Sequence, residues 1–205
     1  MHMDLDTYLT TTHLQLQGWC TLEKALDMVS LVNLERPSLC VELGVFGGRS
    51  LFPMGIALSE HKCGKIVGID PWTKLTCIEG SLDDAQVEWW AKVPYEELYQ
   101  ECLGNINNLG LSETVSISRK TASEARHDFA DNSIDVLHID GNHTVEASVR
   151  DVLHWLPKVK PGGFIWFDDI DWTSTAVAVL ILSITCAKKN SSKTYGLFQK
   201  SPLLS

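Results

Sequence analysis

Apolar positions along the chain switch between helical spacing and short unbroken runs, and the switching predicts the order of the elements. In residues 21–35, TLEKALDMVSLVNLE, Leu22, Leu26, Val29 and Val32 recur at helical spacing behind Thr21 as N-cap, and Pro37 ends that helix. LCVELGV (39–45) is an apolar run that stops at a cluster of glycines, as a strand buried on both faces does. Residues 49–60 predict a helix, and Gly64 separates it from a second buried strand, KIVGID (65–70). The segment 71–110, rich in tryptophan and acid, predicts two helical pieces divided near Pro94. Strands are expected at VSISRK (115–120) and SIDVLHID (133–140). An amphipathic helix follows over 144–156, with Val145, Val149, Val152 and Leu156 on one face. PGG (161–163) turns the chain into a fifth strand, FIWFDD (164–169), and a helix over 174–188 and a last strand, TYGLFQK (194–200), complete it.

Strands alternating with helices predict an α/β fold: a doubly wound, mostly parallel, Rossmann-like sheet with helices on both faces. Right-handed crossovers would gather the ends of strands one, two and four around one crevice. With no internal repeat and no low-complexity linker, residues 1–205 read as one domain. It comprises N-terminal helices (1–36), a core bearing the candidate chemistry (37–172), and a C-terminal helix with an edge strand (173–205). Only one strand is legible after Trp172, which leaves the sheet edge to a further strand or to a second copy of the chain.

Composition narrows the function. Hydrophobic residues make up 44% of the chain and charged ones 21%, as in a soluble globular protein. A net charge of -9 argues against nucleic acid as a partner. The start, MHMDLDTYLT, has no basic region before an apolar core, so no secretory signal is expected. Residues 176–187 are too few to span a bilayer and are expected to form a buried helix, so no membrane is expected as a partner. Six scattered cysteines without CxxC spacing (Cys20, Cys40, Cys63, Cys77, Cys102, Cys186) read as free thiols of a reducing cytoplasm.

The candidate chemistry sits at strand ends. Glu42-Leu43-Gly44-Val45-Phe46-Gly47-Gly48 joins the first strand to its helix, with glycines that permit a tight turn and close backbone approach to a ligand. It does not read GxGxxG, and an acid beside the turn suits a zwitterionic or cationic ligand better than a pyrophosphate. Asp70 ends the second strand, in place to accept hydrogen bonds from ribose hydroxyls. Asp140 ends the fourth strand and Asp168-Asp169 the fifth. Carboxylates on neighbouring strands, about 4.8 Å apart, can converge on one hard cation such as magnesium, or can cap the helices that follow. His143, three residues past Asp140, can take a proton from a hydroxyl at neutral pH or simply bond the backbone at a helix start. His138 shares Asp140's side of its strand and can support it. Trp72, Trp89, Trp90, Tyr95 and Tyr99 form either a lid or a packed cluster.

VELGVFGGRS (41–50), KIVGIDPW (65–72) and IDGNHTVEASVRDVLHWLPKVKPGGFIWFDD (139–169) together resemble the class I methyltransferases. More narrowly, they are similar to small-molecule O-methyltransferases such as the macrocin and mycinamicin sugar enzymes, from about Pro37 to Trp172. The resemblance implies S-adenosylmethionine bound by Glu42, Gly44, Ser50, Asp70 and Ser123, with Gly47 of the turn and Asp140 counted among its contacts. It also implies Mg2+ or another hard divalent cation on Asp140, Asp168 and Asp169, His143 as base, and a small-molecule hydroxyl as acceptor. Three other readings stay open: a metal-independent methyltransferase whose acids are caps, a nicotinamide-dependent oxidoreductase, and a non-catalytic ligand-binding domain. Glu42 beside the turn and the absence of a Tyr-x-x-x-Lys pair stand against the oxidoreductase.

Overall fold

The computed structural model describes residues 3–62, 64–80 and 84–202, so Cys63 lies outside the described residues. In chain order the elements are α1 (Leu5–Thr11), α2 (Leu22–Glu35), β1 (Leu39–Leu43), α3 (Leu51–Glu60), β2 (Lys65–Ile69), α4 (Lys74–Cys77), α5 (Asp84–Ala91) and α6 (Tyr95–Asn108). Then come β3 (Val115–Ser118), α7 (Ala122–Ala125), β4 (Ile134–Ile139), α8 (Val145–Trp155), β5 (Val159–Asp168), α9 (Ala176–Thr185), β6 (Cys186–Ser191) and β7 (Tyr195–Lys200). The strands form one sheet in the order β3-β2-β1-β4-β5-β7-β6. The first five are parallel; β7 runs antiparallel to both β5 and β6. The fold is therefore the expected doubly wound α/β sheet. Its strand order reverses between β1 and β4, which opens a crevice at their C-terminal ends.

Local chemistry explains most of the boundaries. Thr21 accepts from the Lys24 amide (3.2 Å) to start α2, and Arg36 in the left-handed region (φ 50°) stops it ahead of Pro37. The buried stripe of α2 runs through Ala25, Met28, Val29 and Val32, whereas the expected Leu22 and Leu26 are exposed. Two leucines one turn apart do not fix which face meets the sheet; the longer stripe one residue away does. Residues 51–58 of α3 are all buried, so that helix is apolar around its whole circumference, between α1, α2 and the sheet. On α8 the expected Val145 is exposed, while Ala147, Ser148, Val152 and Trp155 face inward.

The C-terminal segment departs furthest from expectation. The helix predicted to reach residue 188 ends at Thr185, and CAKKNS pairs with β7 as an edge strand. Edge strands lack the apolar alternation of half-buried ones and often carry lysine, so Lys188 and Lys189 disguised it. Nor is α9 a buried helix: only Ala178 and Leu182 are covered, while Val177, Leu180 and Ile184 are exposed. No helix among the described residues is long and apolar enough to cross a membrane. Cys20, Cys40, Cys102 and Cys186 are buried and Cys77 is half-buried.

Candidate active site

The strand register fixes what meets at the crevice. Leu43 pairs with Ile69 on one side and Ile139 on the other, so Gly44, Asp70 and Asp140 leave their strands at the same level. The Gly44 amide donates to the Ile69 carbonyl and the Asp140 amide to the Leu43 carbonyl, both at 2.9 Å. Gly44 adopts φ +86°, and a Cβ there would overlap the Asp140 carbonyl oxygen. Both facts demand glycine at this junction.

Asp70 shapes the turn that follows. Its Oδ2 accepts from the amides of Val45 (3.1 Å) and Phe46 (3.0 Å), and its Oδ1 accepts from the Trp72 amide (2.7 Å). Trp72 is buried rather than part of a lid, and its indole donates to the Phe46 carbonyl at 2.9 Å. Burial raises the Asp70 carboxyl against the lowering effect of the three amides. A carboxylate has about four acceptor positions, so three amides leave room for one more donor.

A cavity of about 900 Å³ lies over these ends. Gly44, Ser50, Asp70, Thr121–Ser123, Asp140, His143, Asp168 and Asp169 all border it. Two expected contacts are not on its wall. Glu42 is fully buried behind it, accepting from Ser50 Oγ (2.8 Å) and lying 3.3 Å from His138 Nδ1. On a strand covered on both faces, the side chain of Glu42 turns under the helices while the main chain runs on toward the cavity. Gly47 also lies behind, packed so closely on the Gln17 carbonyl that a Cβ would overlap it; close chain packing, not a ligand, requires this glycine.

The carboxylates are neither caps nor uncompensated. Thr144, not Asp140, caps α8, and Asp169 receives Thr175 Oγ1 and the Trp172 amide on its main-chain carbonyl. Instead, Lys24 reaches in from α2. Its Nζ is ion-paired with Asp168 Oδ2, 3.1 Å from His138 Nε2 and 3.5 Å from Asp140 Oδ2. Burial opposes its charge, but Asp140 and Asp168 outweigh that and raise its pKa. Burial would likewise raise Asp140, yet Lys24, His143 and His138 hold it far below the usual carboxylate range. Burial and the Lys24 charge oppose a proton on His138, while Asp168 and Glu42 favour one and bring it up to about 9.

His143 stands at the cavity edge. Its Nε2 lies 3.4 Å from Asp140 Oδ1 and 3.1 Å from Asp169 Oδ2, with the ring 5.5 Å from that of Trp172. Burial lowers its basicity, but Asp140 and the charges of Asp169 and Asp168 more than restore it, so its pKa lies above the ordinary value. Burial pushes Asp169 up to about 6.

The expected magnesium on Asp140, Asp168 and Asp169 does not fit this arrangement. The ligand atoms that cluster within 4.8 Å belong to His138, Asp140 and Asp168, and Asp169 pairs with His143 outside them. The Lys24 ammonium already lies among that group. A hard divalent ion seeks six or more oxygen ligands, and the ammonium already among these groups repels a second cation at the same position.

Lys24 and Trp19 were not legible as site residues. Lys24 does align with Met28 and Leu31 on one buried face, the signal that the spacing in α2 carries. Trp19, 65% exposed, groups with Phe46, Trp89 and Trp90 at ring separations of 4.7–6.2 Å along the cavity rim. Tyr99 instead packs beneath the Arg119 guanidinium. Asp151 of α8 also lines the cavity, and burial raises its carboxyl to about 7. A carboxyl raised in the folded state stabilises fully below its unfolded pKa and loses that contribution as pH rises through about 7. Asp151→Asn should therefore be more stable than the parent at pH 8 and lose that advantage near pH 4, as urea unfolding at both pH values will show.

Residues 41–170 match a family model described as a methyltransferase domain. Two curated relatives are uncharacterized proteins. One, from Sinorhizobium fredii, is 28% identical over 141 residues, covering 69% of this chain and 14% of that protein. The other, from Acanthamoeba polyphaga mimivirus, is 31% identical over 132 residues, covering 63% of this chain and 50% of that protein. The chain thus spans half or less of the length of these relatives. Among solved structures, the O-methyltransferase NovP superposes with a TM-score of 0.70 at 16% identity, over 90% of this chain and 83% of that one. TomG of Streptomyces achromogenes, an O-methyltransferase of tomaymycin synthesis solved with S-adenosylmethionine, gives 0.64 at 13% identity, over 98% and 91%. The O-methyltransferase of Bacillus cereus, solved with S-adenosylhomocysteine, gives 0.62 at 17% identity, over 95% and 88%. At these identities the likeness is one of fold.

Proposed function

This chain belongs to the methyltransferase domain family, and from that premise we propose that it moves the methyl group of S-adenosylmethionine onto a hydroxyl oxygen of a small molecule. The carrying observation is that one cavity joins the Gly44–Phe46 turn, buttressed by Asp70, to the His143 imidazole. Its volume suits a nucleoside together with part of an acceptor. The residues present fit the cofactor: a turn free of side chain at Gly44, an acceptor position left on Asp70, and the small residues Thr121, Ala122 and Ser123 on the same cavity wall. When bound, S-adenosylmethionine supplies an already electrophilic methyl group. What remains for the chain is to orient the acceptor oxygen and take its proton.

His143 does the second task. Asp140 and Asp169 hold its ring at the cavity edge and favour the imidazolium formed when it accepts the proton. Trp19 and Trp89 present exposed ring faces on the rim, a surface that stacks on a sugar or a flat acceptor. The names of NovP and TomG as O-methyltransferases, and the sequence resemblance to macrocin and mycinamicin enzymes, support oxygen as the acceptor atom and a glycosylated natural product as its carrier.

Calorimetric titration with S-adenosylhomocysteine tests the cofactor. One site is expected, with no competition by NADH; preference for NADH would overturn the reading. Asp70→Asn places an NH2 group against amide donors and loosens the turn. Bonds to a charged acceptor contribute about 1.5–3 kcal/mol, so affinity should fall by roughly 10–150-fold.

A further inference from the structure

We infer that Lys24 is the built-in cation of this site: its ammonium takes the place among His138, Asp140 and Asp168 that a divalent ion would otherwise fill, so the chain handles its acceptor without bound metal. The use of the cluster in methyl transfer rests on the function proposed above; the occupancy by Lys24 does not.

Geometry carries the inference. Lys24 is only 3% exposed, and its amide is fixed to the Thr21 cap, so the side chain starts from a rigid first turn. The ammonium sits among three groups, ion-paired with Asp168 Oδ2 and lying 3.1 Å from His138 Nε2 and 3.5 Å from Asp140 Oδ2. Those same three residues are the described group whose ligand atoms converge within 4.8 Å. One position therefore serves either an ammonium or a metal ion, and in this chain the ammonium is covalently attached to α2. Like charges at contact distance exclude one another strongly at low dielectric.

One consequence follows for the reaction. Lys24 lies against Asp140 on one side while Asp140 holds His143 on the other, so Lys24 is a positioning residue for the base.

Manganese, followed by electron paramagnetic resonance, reads the site directly. Wild type and Lys24→Arg should leave Mn2+ free in solution, and Lys24→Met should bind one ion about 10³-fold more tightly, the scale of one unit charge removed at contact distance. A second change, Asp168→Asn, should abolish that gain. Stoichiometric Mn2+ binding by wild type that Asp168→Asn removes overturns the inference, as does a folded Lys24→Met that gains nothing. Should Lys24→Met fail to fold, wild type and Lys24→Arg decide: free Mn2+ upholds the inference and stoichiometric binding sinks it. Titration of wild type with S-adenosylhomocysteine in excess EDTA separates this outcome from the cofactor reading. Loss of that binding without any Mn2+ site fails the cofactor, not Lys24.

Discussion

Replacing His143 with alanine should lower the methyl-transfer rate by about 10²–10⁴-fold, the usual worth of a positioned general base, while S-adenosylhomocysteine binds as before. The imidazole is held by Asp140 and Asp169, whereas the turn around Gly44 is held by Asp70. Its removal therefore acts on kcat and leaves the nucleoside side intact. The pH profile gives the sign. A base must be unprotonated to act, and Asp140, Asp169 and Asp168 together hold the His143 pKa above its ordinary 6.5 despite burial. The rate should climb with pH through a midpoint above that value. Asp169→Asn removes one of the carboxylates and should shift the midpoint downward. Measured with labelled S-adenosylmethionine on an acceptor from a hydroxyl panel, an alanine variant that keeps both rate and slope would remove His143 from the mechanism.

The legible part of this site was the part written into strand ends. Apolar runs that stop at an acid or a glycine, at Asp70, Asp140, Asp168 and Gly44, announce a crevice, because a parallel sheet aligns those ends automatically. Glu42 lies off the cavity wall for a related reason: it precedes the glycine in the chain, but it lies within the strand, where side chains alternate between two covered faces, and its face looks toward His138 and Ser50. Lys24 was illegible because a lysine in a helix reads as solvated. What buries it is the packing of α2 on α3, which brings the Lys24 side chain to His138, Asp140 and Asp168, a tertiary event with no local signature. The hard-cation expectation rested on counting carboxylates, and the countercharges came from elsewhere in the chain: Lys24 to Asp168 and Asp140, His143 to Asp169. The misjudged α9 shows the converse. Its composition is that of a core helix, yet only Ala178 and Leu182 are buried, on the face that packs against α8 and the sheet.

Gly44→Ala should destabilise the fold by about 4 kcal/mol or more. A non-glycine residue in the left-handed region costs roughly 1–2 kcal/mol, and φ at this position is +86°. The larger share comes from the Asp140 carbonyl, which occupies the space the new Cβ needs. Relief requires β1 and β4 to part at their tips, where the Asp140 amide bonds the Leu43 carbonyl, and disturbs the Gly44 amide's bond to the Ile69 carbonyl of β2. Each such bond, once broken in a buried place, costs about 1–3 kcal/mol. In a chain of this size 1 kcal/mol moves the melting temperature by roughly 2–4 °C, so the variant should melt about 8–16 °C lower in calorimetry. Gly104→Ala supplies the contrast. It lies in α6 with nothing within 4 Å of a new Cβ, and alanine there should stabilise by roughly 0.5–1 kcal/mol. The same substitution thus carries opposite signs at two positions, and only the strand junction touches the site. A Gly44→Ala protein that melts with the parent would mean that the tips of β1 and β4 yield easily, and a yielding junction could not hold Asp70 and His143 at fixed positions across one cavity.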